Sequence, residues 1–258
     1  MKFLPNFTRT FNSLFTLLTL LFCQTLLAQD DIPRLLSGKP DLNGVWARPY
    51  VPNMLSAGNG RNQTGPGEEP FTAAGRRNFD NYNPTDGDYT GSCLPFGLLR
   101  AMNSPDPIQF MQTETHFAYL YEQNTWFKVV NLDGQDHGGR LPPAWYGHSI
   151  AKWEGDTLII TTNRFNGKTR LDTIGHPHSD QMTVIERFAL TDADTMDYEV
   201  TIDDPVYYSK PWTNKRIFIR QSDFDLIEYS CMENNKSLFE GRVVPPNYEN
   251  WHTYDTED

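Results

Sequence analysis

The sequence predicts an all-β protein, an antiparallel up-and-down barrel of about eight to ten strands. Three observations carry that expectation. Short runs rich in Val, Ile, Thr, Tyr and Phe succeed one another between Pro107 and Met232, separated by Gly, Asn and Asp clusters. Trp153-Glu154-Gly155-Asp156 separates His148-Ser149-Ile150-Ala151-Lys152 from Thr157-Leu158-Ile159-Ile160-Thr161, the pattern of a tight hairpin. No stretch carries the apolar period of a long amphipathic helix. A chain of such hairpins can close on itself, leaving an interior that holds side chains or one small ligand.

The chain opens with Lys2 and Arg9, no acidic residue up to Ala28, and an apolar stretch from Leu14 to Phe22. This reads as a signal peptide over residues 1–28, too short and too early for a membrane span. Phe22 before Cys23 is a poor fit to a lipidation site. The remaining 29–258 is expected to form a single barrel domain in the periplasm or outside the cell. In that oxidising compartment the remaining pair, Cys93 and Cys231, is expected to be bridged rather than free. The excess of 33 acidic over 22 basic residues argues against nucleic acid and anionic membrane surfaces as partners, because phosphate binding draws on clustered Lys and Arg.

Asp41-Leu42-Asn43-Gly44-Val45-Trp46 reads as a turn into a first strand. Residues 49–92, rich in Gly, Asn, Pro and Asp, form a long excursion that is either a lid over one mouth or a loop, with a short helix near Thr72-Ala73-Ala74-Gly75-Arg76-Arg77. Strands are then expected near 107–113, 115–122, 125–131, 147–153, 157–163, 181–190, 195–202, 213–220 and 225–232. Phe117, Tyr119 and Tyr121 share one face, as do Met196, Tyr198, Val200 and Ile202. A tail over 235–258 follows.

Two connections exceed what hairpins need, at 133–147 and 166–180, and they are rich in His. If every link is a hairpin, both leave the barrel at one end and bring His137, His176 and His178 to one mouth. With His148, Asp133, Asp136, Asp172 and Asp180 they form the polar cluster suited to proton transfer, since an imidazole titrates near neutral pH and a carboxylate can fix its tautomer. Hydrogen-bonded loop capping is the other reading. His176-Pro177-His178 with His137 could also supply three nitrogens to zinc, although the Pro disfavours a regular strand there. No other cofactor is expected.

Glu186 shares a strand face with Met182, Val184 and Phe188, so its carboxylate points inward. It serves either as a carboxyl group of raised pKa or as half of an ion pair with Arg216 or Arg220. The 34 aromatic residues either fill the core or line a cavity for a small apolar or aromatic ligand.

Asp41-Leu42-Asn43-Gly44-Val45-Trp46, Cys93-Leu94-Pro95, Trp153-Glu154-Gly155-Asp156-Thr157-Leu158, Gly175-His176-Pro177-His178-Ser179 and Glu199-Val200-Thr201-Ile202-Asp203-Asp204-Pro205 together resemble a large group of secreted bacterial proteins. The resemblance covers most of the mature chain and implies export without implying a reaction. Gly44-Val45-Trp46 is similar to the Gly-x-Trp opening of lipocalins, which implies a ligand-holding barrel by architectural analogy.

The expected function is metal-independent acid–base catalysis on such a ligand, by an isomerase, cyclase, lyase or hydrolase. His137 and His178 would exchange protons, Asp133 would orient one of them, Glu186 would add a carboxylate, and His176 and His148 would stand nearby. A non-catalytic binding protein and a carbohydrate-binding or surface-interaction module are the alternatives.

Overall fold

The structure, a computed structural model, describes residues 32–58, 63–136, 141–233 and 235–248. The signal peptide expected over 1–28 and His137 lie outside them.

Nine strands form one antiparallel sheet: β1 (Gly44–Ala47), β2 (Ile108–Gln112), β3 (His116–Tyr121), β4 (Phe127–Asn131), β5 (His148–Glu154), β6 (Thr157–Asn163), β7 (Thr183–Leu190), β8 (Thr195–Asp203) and β9 (Trp212–Arg220). Their spatial order is β4-β3-β2-β1-β9-β8-β7-β6-β5, the order of an up-and-down meander. The sheet curls until β4 approaches β5, giving a nearly closed barrel. Among the described residues three short α-helices accompany it: α1 (Ala73–Asp80), α2 (Leu98–Met102) and α3 (Lys236–Phe239).

The hairpin between β5 and β6 is the tightest link. Glu154 pairs with Thr157, leaving Gly155 and Asp156 to turn the chain. Gly155 takes a φ of +60° at the first linking position, as a type II′ turn requires.

Alternation sends one face of each strand inward. Phe110, Phe117, Tyr119, Phe188, Tyr198 and Phe218 are fully buried. Neighbouring rings in this group lie 4.9–6.0 Å apart. Each such side chain contributes roughly 1.5–3 kcal/mol on burial, so this aromatic stack fills part of the barrel with core rather than cavity.

The two ends differ. Short links at 113–115, 155–156 and 191–194 close one end. At the other lie the long connections 48–107, 164–182 and 204–211. Residues of the 49–92 excursion pack among these connections: Met54 N donates to Asp172 at 2.8 Å, Val51 N to the Asn103 carbonyl at 3.1 Å, and Thr72 N to the Tyr207 carbonyl at 3.0 Å. Thr72 caps α1 by accepting from Gly75 N. A Cβ on Gly75 would stand 2.1 Å from the Tyr207 carbonyl oxygen, so only glycine lets α1 sit this close.

Two sequence expectations need correction. Residues 225–232 are not a strand. The free edge of β9 is taken by β1 at Trp46 and Ala47 and by Thr64 at Lys215, which leaves no ladder to join. Ile227 is exposed and its N–H donates to the Glu122 carboxylate. The second correction concerns parity. In an alternating sheet of nine strands the first and last run the same way, so β4 and β5 are parallel across the seam. The 132–147 connection therefore leaves at the short-link end and returns at the other, and counting it as a hairpin misplaces its start.

The Cys93–Cys231 bridge is present, with Cα atoms 5.5 Å apart. It joins the end of the excursion to the tail beyond β9, not to a final strand. The tail then folds back toward the long-connection end, where Tyr248 meets Trp145 and Lys168.

Candidate functional site

Between the aromatic stack and α2 the barrel interior turns polar. Glu186 projects inward from β7 and is fully buried. Tyr119 on β3 donates to its Oε2 at 3.0 Å, and Tyr198 on β8 to its Oε1 at 3.0 Å. Burial holds the Glu186 carboxyl above the ordinary carboxylate range, against the pull of the Lys128 ammonium.

Three cations share this layer. Lys128 on β4 lies opposite Tyr119 and donates to Thr162 Oγ1 at 3.1 Å and to the Tyr146 carbonyl at 3.3 Å. Burial pushes its ammonium down to about 8. Arg216 on β9 donates through Nε to Asn214 at 2.8 Å and through Nη1 to the Met102 carbonyl at 3.0 Å. Arg48, just past β1, donates through Nε to the Asp106 carbonyl at 3.0 Å and through Nη1 to the Met102 sulfur at 3.6 Å. Both guanidiniums thus converge on the last residue of α2. Burial lowers each to about 10.

Aromatic rings continue the layer outward. The Arg48 guanidinium stands 5.7 Å from the Tyr121 ring, Tyr121 lies 5.6 Å from Tyr146, and Tyr146 lies 6.4 Å from Trp126. Five buried polar atoms here have no hydrogen-bond partner among the described residues: Arg48 Nη2, Arg216 Nη2, Tyr121 Oη, Trp126 Nε1 and Tyr146 Oη. Buried polar groups are normally paired, and each one left alone costs about 1–3 kcal/mol.

The Lys128 environment makes stability depend on pH. The unfolded side chain keeps its proton to about 10.5 and the folded one releases it near 8, so between those values the unfolded state binds more protons. Lys128 should therefore contribute a rise in stability with pH above 8, of up to about 1.4 kcal/mol per unit, which the raised hydroxyls of Tyr119, Tyr121 and Tyr198 oppose as pH nears 10. Urea unfolding at pH 7.5, 8.5 and 9.5 measures this. Lys128→Met should flatten the slope, and equal slopes in the two proteins would contradict the assignment.

The histidines have other surroundings. His176 is fully buried; its Nδ1 donates to Asp172 Oδ2 at 2.6 Å, and its ring stacks on Phe79 at 4.8 Å. Asp172 also accepts from the backbone N–H groups of Met54, Gly175 and His176, so it organises the 164–182 connection. His178 Nδ1 donates to the Ser179 carbonyl at 3.0 Å, and its Nε2 accepts from Thr169 at 2.6 Å. His148 Nε2 donates to the Pro142 carbonyl at 2.8 Å. Asp133 is exposed, and its Oδ1 accepts from Gln135 N. His176 and His178 pack on different aromatic neighbours. Among the described residues no group of three His, Cys, Asp or Glu side chains is placed to hold a metal ion.

Sequence reasoning found Glu186 and its inward direction but missed Lys128 and Arg48. One signal was present: Lys128 is in phase with Val130, so the strand that buries Val130 must bury Lys128 as well.

No family model matches the chain, and no curated protein matches it. Among solved structures it is similar to a secretary abundant heat soluble (SAHS) protein from Ramazzottius varieornatus, at 12% identity over 54% of this chain and 86% of that one, with a TM-score of 0.24. The barrel is read from its own strand order and register, not from that likeness. Among the described residues no helix is long and apolar enough to cross a membrane. The disulfide is compatible with export.

Proposed function

We propose that this is an exported β-barrel binding protein that holds a small, largely apolar or aromatic molecule inside the barrel, in the polar layer beneath α2. The observation that carries this reading is the cluster of five orphaned buried donors, because a folded chain does not leave so many unpaired in one place without an occupant. Tyr121, Trp126 and Tyr146 supply apolar surface beside those donors. Long connections gather at this end of the barrel, where variation can shape an entrance without disturbing the strands.

Protein purified from its native host should release a defined small molecule on denaturation, identified by mass spectrometry. Tyr121→Ala with Trp126→Ala should carry less of it. Extraction of nothing from the native protein, together with no ligand-induced rise in melting temperature across a small-molecule library, would sink the reading.

A catalytic version has one specific observation in its favour. Glu186, raised by burial, and Lys128, lowered by burial, could exchange a proton with a ligand held between them. The acid–base role proposed for His137 and His178 with Asp133 gains less support, since both ring nitrogens of His178 are engaged in capping the loop. Glu186→Gln distinguishes the versions. An enzyme should lose turnover of the extracted compound while still binding it, whereas a carrier shows no turnover to lose.

A further inference from the structure

We propose that the molecule held in this layer is an organic acid, its carboxylate lying between Arg48 and Arg216; the inference rests on the binding function just proposed. All five unpartnered atoms are N–H or O–H donors, so the missing partner is a group rich in acceptors. Charge points the same way. Lys128 and Arg216 feel the interior carboxylate of Glu186, whose two oxygens already accept from Tyr119 and Tyr198, while Asp172 also acts on Arg216 and Asp106 on Arg48. Neither arginine forms an ion pair among the described residues, although the chain as a whole has a net charge of −11. The carboxylates of Asp106 and Asp172 hydrogen-bond to Ser104 and to His176 rather than to either guanidinium.

The geometry suits a carboxylate. Nε and Nη1 of each guanidinium are fixed by Asn214, Asp106 and Met102, which leaves each Nη2 free and buried. Two guanidiniums anchored on one residue repel each other unless an anion lies between them, and a guanidinium offers planar donors matched to carboxylate oxygens. Tyr121 Oη adds a further donor, and the rings of Tyr121, Tyr146 and Trp126 flank the body of the acid.

The test pairs benzoate, 2-naphthoate and dodecanoate with the corresponding primary alcohols, in calorimetric titration and thermal unfolding. At least one acid should bind tenfold or more tightly than its alcohol. Arg48→Met and Arg216→Met should each cut acid affinity at least tenfold and leave alcohol affinity within threefold, with Arg216→Lys intermediate. Ligand-free Arg48→Met should melt no lower than wild type, whereas a purely structural arginine would lower the melting temperature when removed. Equal binding of acids and alcohols would overturn the inference and leave the binding function standing. Binding of neither class, with nothing extracted from the native protein, would overturn both.

Discussion

Glu186→Leu should lower stability by about 3–5 kcal/mol, which for a chain of this size moves the melting temperature by roughly 10 °C. The loss has two sources. Removing the carboxylate leaves Lys128 and Arg216 in the barrel without the one interior negative charge that acts on both. It also strips Tyr119 and Tyr198 of the acceptor for their hydroxyls. Glu186→Gln separates these sources, because it keeps an acceptor and the shape while discarding the charge. Its cost should be smaller, about 1–2 kcal/mol. The sign with pH follows from the raised carboxyl. Between about 4.5 and the raised value the folded state binds more protons than the unfolded one, so wild-type stability falls as pH rises through that window and Glu186→Gln loses the fall. Chemical denaturation of the three proteins between pH 4 and pH 7 decides it; a Gln variant as stable as wild type would show that the charge is not needed, and a Leu variant as stable as the Gln variant that the acceptor for Tyr119 and Tyr198 is not.

Replacing both Cys93 and Cys231 by Ser should cost about 2–5 kcal/mol. The bridge spans 138 residues, so it removes much freedom from the unfolded chain. It also secures a tail with few other anchors: α3 buries no residue, and Ile227, Phe239 and Val244 are exposed. Without it the contacts of Tyr248 with Trp145 and Lys168 should loosen. Protease cleavage should therefore appear first in the tail, with the barrel losing stability as a unit. A Ser variant whose unfolding midpoint matches that of wild type would contradict this.

Much of the barrel was legible because alternation and turn chemistry agree along β5 to β9. The expected strands 157–163 and 195–202 match β6 and β8 to within one residue, since Gly155 and the Asp192-Ala193-Asp194 link mark their ends. Residues 225–232 show similar alternation and still form no strand. Pairing needs a free edge, and no local pattern reveals that β1 and Thr64 already occupy the one beside them. The parity of β4 and β5 is likewise a property of the whole sheet.

The candidate site was less legible for a related reason. In Phe127-Lys128-Val129-Val130 the apolar residues suggest which face turns inward, yet Phe127 and Val129 are 66% and 57% exposed while Lys128 is buried. Hydrophobic patterning finds cores, and it passes over a strand that spends core positions on charge. Arg48 lies beyond its strand and enters the layer only through the packing of α2. Histidines draw attention in a sequence because they titrate near neutral pH, but His176 and His178 engage a carboxylate, a carbonyl and a hydroxyl within their own loop.

In the proposed complex Arg48 and Arg216 together hold an anion inside the barrel. A high-resolution crystal structure of protein purified from its native host tests it most directly. The expected result is density for an organic acid, with carboxylate oxygens within hydrogen-bonding reach of Arg48 Nη2 and Arg216 Nη2 and its body against Tyr121 and Trp126. Ordered water alone between the two guanidiniums, with no compound released on denaturation, would contradict it.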